Sequence, residues 1–97
     1  MFIKIHRSYR NIVALCDAEL LGKRFEEGMR QLYLRESFYK DKKITHDEAV
    51  RILQQQAQED ATFNIAGKKA IQAALDAGII TRKYTTHIAG VPLALVF

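Results

Sequence analysis

With 97 residues, 48% of them hydrophobic, the chain fits one domain over residues 1–97 whose core needs neither disulfides nor a structural metal. No apolar run approaches the ~20 residues of a membrane helix, and the N-terminus MFIKIHRSYR lacks the apolar stretch of a signal peptide. The single cysteine, Cys16, excludes an internal disulfide and fits a reducing cytoplasm, while the net charge of +4 is modest enough to serve solubility alone.

In chain order, Phe2–His6 and Ile12–Cys16 read as strands joined by the turn residues Ser8–Asn11, a hairpin. Asp17–Glu19 is a turn leading into Leu20, Leu21 and Gly22. Arg24–Gly28 fits no element clearly, because Phe25 is its only large apolar residue. Gln31–Arg35 alternates around Leu32 and Leu34 as a half-buried strand does. Ser37–Lys43 reads as a polar turn carrying Phe38 and Tyr39.

Thr45 followed by Glu48 is a capping box, so a helix starts there, with Ala49, Val50, Leu53 and Ala57 on its buried face. A second helix is expected to begin between Thr62 and Asn64. Its stripe runs Phe63, Gly67, Ala70, Ile71, Ala74 and Leu75, and Gly78 supplies its left-handed stop. Thr81–Ile88 returns to strand character, Gly90–Pro92 turns, and Leu93–Phe97 is a last apolar strand. Strands at both ends around two inserted helices predict an α+β fold with a mostly antiparallel sheet.

Read along its whole length, the chain resembles the archaeal family catalogued as domain of unknown function 424. The resemblance is carried by Ile12–Gly28 (IVALCDAELLGKRFEEG), the pair Phe38-Tyr39, Asn64–Ile71 (NIAGKKAI) and Ile88–Pro92 (IAGVP). It implies an archaeal cytoplasmic protein of unestablished function in the company of the translation apparatus. Leu93, Ala94 and Leu95 follow the GVP turn, where relatives are expected to carry polar residues.

The residue types that carry chemistry do not assemble in sequence. His6, His46, His87 and Cys16 come from four elements, with no pair at zinc-ligand spacing, so no metal and no cofactor is expected. Asp17 follows Cys16 directly and would raise its pKa, the opposite of what thiol catalysis needs. Glu26-Glu27, Asp47-Glu48 and Glu59-Asp60 are sequence neighbours pointing apart, not carboxylates facing one another across a substrate. No catalytic residue is assigned, and the chain is not expected to be an enzyme.

Basic residues are segregated. Residues 1–10 hold Lys4, Arg7 and Arg10 with no acid, giving +3. Residues 30–43 reach +3 through Arg30, Arg35, Lys40, Lys42 and Lys43 against Glu36 and Asp41. Residues 44–60 carry −3 (Asp47, Glu48, Glu59 and Asp60 against Arg51), and residues 61–97 carry +3 (Lys68, Lys69, Arg82 and Lys83 against Asp76). Aromatics interleave with these cations at Tyr9-Arg10, Tyr33-Leu34-Arg35, Phe38-Tyr39-Lys40 and Arg82-Lys83-Tyr84, a pattern that suits single-stranded RNA. NIAGKK adds a helix start with Gly67, Lys68 and Lys69, which can hold a phosphate.

The expected function is therefore a non-enzymatic RNA- or ribosome-associated factor with no membrane contact. One basic face would carry Arg7, Tyr9, Arg10, Tyr39, Lys40, Lys42, Lys43, Lys68, Lys69, Arg82 and Lys83. The alternative is a protein-interaction adaptor or homodimer built on the apolar strand Leu93–Phe97.

Overall fold

The first hairpin forms where its alternation places it. In the computed structural model, which describes residues 1–97, β1 (Phe2–His6) pairs antiparallel with β2 (Ile12–Cys16), Phe2 opposite Cys16 and His6 opposite Ile12. The period of two then sorts side chains: Ile3, Val13 and Leu15 enter the main core on one face, while Ala14 and Cys16 turn to the other.

A fold of the α+β class results, with a six-stranded sheet and a separate two-stranded ribbon. The sheet order is β5 (Lys42–Lys43), β1, β2, β6 (Thr62–Ala66), β8 (Val91–Val96), β7 (Thr86–Ile88). Only the central β2–β6 pair is parallel. Helices α2 (His46–Gln58) and α3 (Lys68–Ala77) cover one face over Val13, Leu15, Phe63, Ile65 and Ala94. On the other face the ribbon β3 (Arg24–Glu27)–β4 (Arg30–Tyr33) and the single helical turn α1 (Glu36–Tyr39) close over Ala14, Cys16 and Ala66 with Leu34 and Tyr39. No helix is long and apolar enough to cross a membrane.

α2 starts at the expected capping box: Glu48 N donates to Thr45 Oγ1 (3.2 Å) and Thr45 N to Glu48 Oε1 (3.0 Å). These bonds hold the Glu48 carboxyl below its usual range. α3 stops at Gly78, in the left-handed region at φ 77°, and Ile79 N bonds back to Ala74 O at 3.2 Å.

The start of α3 corrects the sequence reading. Residues 62–66 are not helical: Phe63 and Ile65 point into the core from a strand lying between β2 and β8, and the helix begins only at Lys68. Phe63 and Gly67, four apart, mimic a helical stripe, but the alternation of TFNIA and its pairing on both edges decide the element. Of the segment 24–28, which fits no element alone, residues 24–27 form a strand because β4 lies beside them. The turn expected at 37–43 is divided between α1, which starts at Glu36, and β5, and the β region 81–88 opens with a 3₁₀ turn at Arg82–Tyr84. Ala89 and Gly90 make the last turn, so Val91 and Pro92 already belong to β8.

Candidate nucleic-acid interface

The start of α3 is occupied by the protein itself. Asp17, buried at the end of β2, accepts from Lys69 N through Oδ2 (3.1 Å) and from Ala70 N through Oδ1 (2.8 Å). The preceding Gly67 has φ 109°, and a Cβ there would collide with the Asp17 carboxylate. Those two amides, expected to be free for a phosphate in NIAGKK, therefore already have an anion. Lys68 and Lys69 keep exposed side chains.

The basic segments do not form one face. β5, with Lys42 and Lys43, is one edge of the sheet, and Arg82 and Lys83 precede β7 at the other. Five strand spacings of about 4.8 Å separate those edges by about 24 Å. The loop from β1 to β2 is a third location. There Tyr9 stands free in solvent, while Arg10 is bound to Asp60 by Nε to the carbonyl (2.9 Å) and by an ion pair (3.4 Å). Arg7 and Lys42 share a hollow with the acids Asp41 and Glu59. Lys40 lies 5.8 Å from the centre of the Phe2 ring.

Tyr39 leaves the list of surface rings. Its side chain is buried beside Cys16 under α1, and burial, with the nearby Cys16, raises its pKa to about 12. A ring in that position cannot stack on a base. Cys16 is fully buried as well, and desolvation first, then the Asp17 charge, pushes its thiol up to about 12. The histidines lie apart. His6 stacks on Phe38 (4.6 Å between ring centres) and His46 pairs with Asp76 (2.8 Å). His87 sits in β7 at the sheet edge. No three His, Cys, Asp or Glu side chains are placed to share a metal ion.

Two arrangements were not legible in the sequence. On the ribbon, Arg24 is the cross-strand partner of Tyr33, and its guanidinium lies 4.4 Å from the ring centre. Arg35 reaches the same ring from two residues on, at 5.2 Å. Tyr33 is 41% exposed and neither arginine has a carboxylate partner. The interleaving Tyr33-Leu34-Arg35 signalled half of this cluster, but only strand register brings in Arg24. At the β7 edge, Lys68, Gln72, Arg82, Thr85 and His87 line a concavity of about 300 Å³ that contains no carboxylate.

A family model described as "Protein of unknown function (DUF424)" matches residues 6–97. The chain belongs to the DUF424 family. A crystal structure of an uncharacterized conserved protein from Methanopyrus kandleri superposes on this DUF424 chain with a TM-score of 0.88 and 28% sequence identity. The match covers 98% of this chain and 88% of that one. No curated protein matches the chain.

Three of the four segments that carry the DUF424 resemblance are hydrogen-bonded to one another in the fold. Asp17, from the first, receives the amides at the start of α3, from the third. Glu27 Oε1, at the end of the first, accepts from Ala89 N in the fourth (2.7 Å), and Gly67 N donates to Pro92 O (2.8 Å). They form one bonded junction where β2, β3, α3 and the β7–β8 turn meet.

Proposed function

We propose that this DUF424 protein is a non-enzymatic, cytoplasmic factor that binds single-stranded RNA through its ribbon, in the setting of the translation apparatus. The observation that carries the reading is the cluster Arg24–Tyr33–Arg35, a half-exposed ring flanked by two guanidiniums without acid partners. Rings and guanidinium planes both stack on bases, and guanidiniums also take phosphates bidentately. Lys68 and Arg82, which share the concavity at the β7 edge, extend the positive surface. The ribbon leans against β7, where Arg30 donates to His87 O at 3.1 Å.

The test is binding of an unstructured RNA oligomer across a salt series. Tyr33→Ala should weaken binding 5- to 150-fold, corresponding to about 1–3 kcal/mol for one stacked base, while Tyr33→Phe retains it. The logarithm of the affinity should fall linearly with the logarithm of salt concentration, because phosphate contacts release counterions. No binding at low salt, or binding indifferent to salt, would refute the reading.

A second reading, self-association, is favoured by β8. β7 pairs only with Val91–Leu93, so the outer edge of Ala94–Val96 is open, with Leu95 48% and Phe97 86% exposed. Two such half-edges placed antiparallel complete each other, each β8 being covered by its own β7 at one end and by its partner at the other. Light scattering decides between monomer and dimer, and a strict monomer at high concentration removes this reading.

A further inference from the structure

We propose that the concavity between α3, the 3₁₀ turn Arg82–Tyr84 and β7 is a binding site for a terminal phosphate group, held by Lys68, Arg82 and His87. The site lies off the ribbon and stands or falls independently of RNA binding by Tyr33.

Charge composition singles this hollow out. The structure has four concavities, and in three of them carboxylates accompany the cations: Asp60 with Arg10, Asp41 and Glu59 with Arg7 and Lys42, Asp17 and Glu19 with Lys68. The concavity at the β7 edge has Lys68, Arg82 and His87 and no acid. Neither Lys68 nor Arg82 is in an ion pair, the two pairs of the protein being Arg10–Asp60 and His46–Asp76. The acid of α3, Asp76, is committed elsewhere, accepting from Gln72 (2.9 Å) and meeting His46 (2.8 Å). Lys68 also borders the hollow of Asp17 and Glu19, but the Asp17 oxygens already serve the amides of Lys69 and Ala70.

The wall of the hollow also carries an unsatisfied polar atom. Thr85, in its wall, carries the one buried side-chain polar atom of the protein without a hydrogen-bond partner, its hydroxyl oxygen. That oxygen has almost no accessible surface, so nothing entering the hollow touches it as the wall stands, and the cations alone carry the site.

Ligand chemistry follows from the donors. A phosphate monoester carries about −1.5 to −2 charge and three acceptor oxygens. Arg82 offers a planar fork of donors, Lys68 a point charge, and His87 an imidazole, which together match a dianion better than the single charge of an internal phosphodiester. A volume of about 300 Å³ is at the small end of ligand sites and admits a phosphate with part of its carrier. The helix amides take no part, since Asp17 holds them.

Titration of the full chain with inorganic phosphate at low ionic strength, followed by NMR, tests the site. Saturable 1:1 binding that shifts the His87 imidazole is expected. The exposed-residue variants Lys68→Ala and Arg82→Ala should each weaken it at least tenfold, and Lys42→Ala should leave it unchanged. Absence of saturation at millimolar phosphate, or equal weakening by Lys42→Ala, overturns the proposal. A second arm compares 5′-phosphorylated and 5′-hydroxyl forms of one RNA oligomer. An Arg82-dependent preference for the phosphorylated form identifies an RNA end as the carrier. Equal binding of the two forms alongside intact phosphate binding identifies a small phosphorylated molecule instead.

Discussion

Asp17 and Gly67 are locked together: the carboxylate of one fills the space that a side chain on the other would need, and it closes the first turn of α3. The bond from Lys69 N to Asp17 spans 52 residues of sequence and ties the end of β2 to the helix that covers it. It is a helix cap supplied from another strand, in the position that suits negative charge at a helix N-terminus.

Asp17→Ala should therefore cost about 1–3 kcal/mol, since it orphans two donors, one of them buried, at the base of α3. Asp17→Asn keeps one acceptor and should cost less. Gly67→Ala should cost at least as much as Asp17→Ala, because it combines a strained positive φ, about 1–3 kcal/mol, with displacement of the carboxylate. Urea denaturation of the three variants checks the order. An unaffected Gly67→Ala protein would show that the junction is looser than its geometry.

Access to Cys16 should be governed by α1. Lys4 Nζ and His6 Nε2, two residues apart on one face of β1, donate to the successive carbonyls Ser37 O (2.9 Å) and Phe38 O (2.8 Å). A carbonyl only accepts, so His6 carries a proton on Nε2. This clamp seats Phe38 and Tyr39 over the buried thiol. In the native protein a chromogenic disulfide reagent should react with Cys16 only through local opening. His6→Ala should raise that rate by about tenfold, which is about 1.4 kcal/mol of opening free energy. A rate equal to wild type would show that α1 is held by packing alone.

How far these relationships could be read in advance depended on their range along the chain. Thr45–Glu48 and Gly78–Ile79 are local devices, bonded within five residues, and both form as the sequence predicts. The first hairpin is nearly as local. The strand at 62–66 reads as helix in the sequence because Phe63 and Gly67 are spaced equally well for one, and the deciding partners are β2 and β8, far away in sequence. The candidate interface divides in the same way. Basic and aromatic residues are visible as types, yet only the sheet order places Lys42 and Arg82 on opposite edges. Only register pairs Arg24 with Tyr33, and only tertiary packing buries Tyr39.

Stability should fall on the alkaline side. Cys16 rises from 9.0 and Tyr39 from 10.0 to about 12, each chiefly because burial favours the neutral form. In the unfolded chain both ionise at their ordinary values, so between about 9 and 12 the native state binds more protons. Stability present below the ordinary values is then lost as pH rises, at up to about 1.4 kcal/mol per pH unit for each group. Tyr39→Phe removes one of the two contributions. Its denaturation midpoint should decline less steeply between pH 10 and pH 12 than that of the wild type. Parallel declines would mean that the phenol reaches solvent in the native state.

Thr85→Val separates the phosphate site from the fold around it. The hydroxyl of Thr85 is buried and unpaired, and leaving such a group unsatisfied costs about 1–3 kcal/mol. Valine has nearly the same shape and suits the extended backbone there, at φ −83° and ψ 125°. The variant should be as stable as the wild type or more so, by up to about 1 kcal/mol. Arg82→Ala, an exposed substitution, should stay within about 0.5 kcal/mol of wild type. If the hydroxyl were instead a structural contact within the chain, Thr85→Val would unfold at lower denaturant, and Arg82→Ala would not. Both residues line one concavity, and one pair of urea curves shows whether the Thr85 hydroxyl is an unpaired group or a structural contact within the chain.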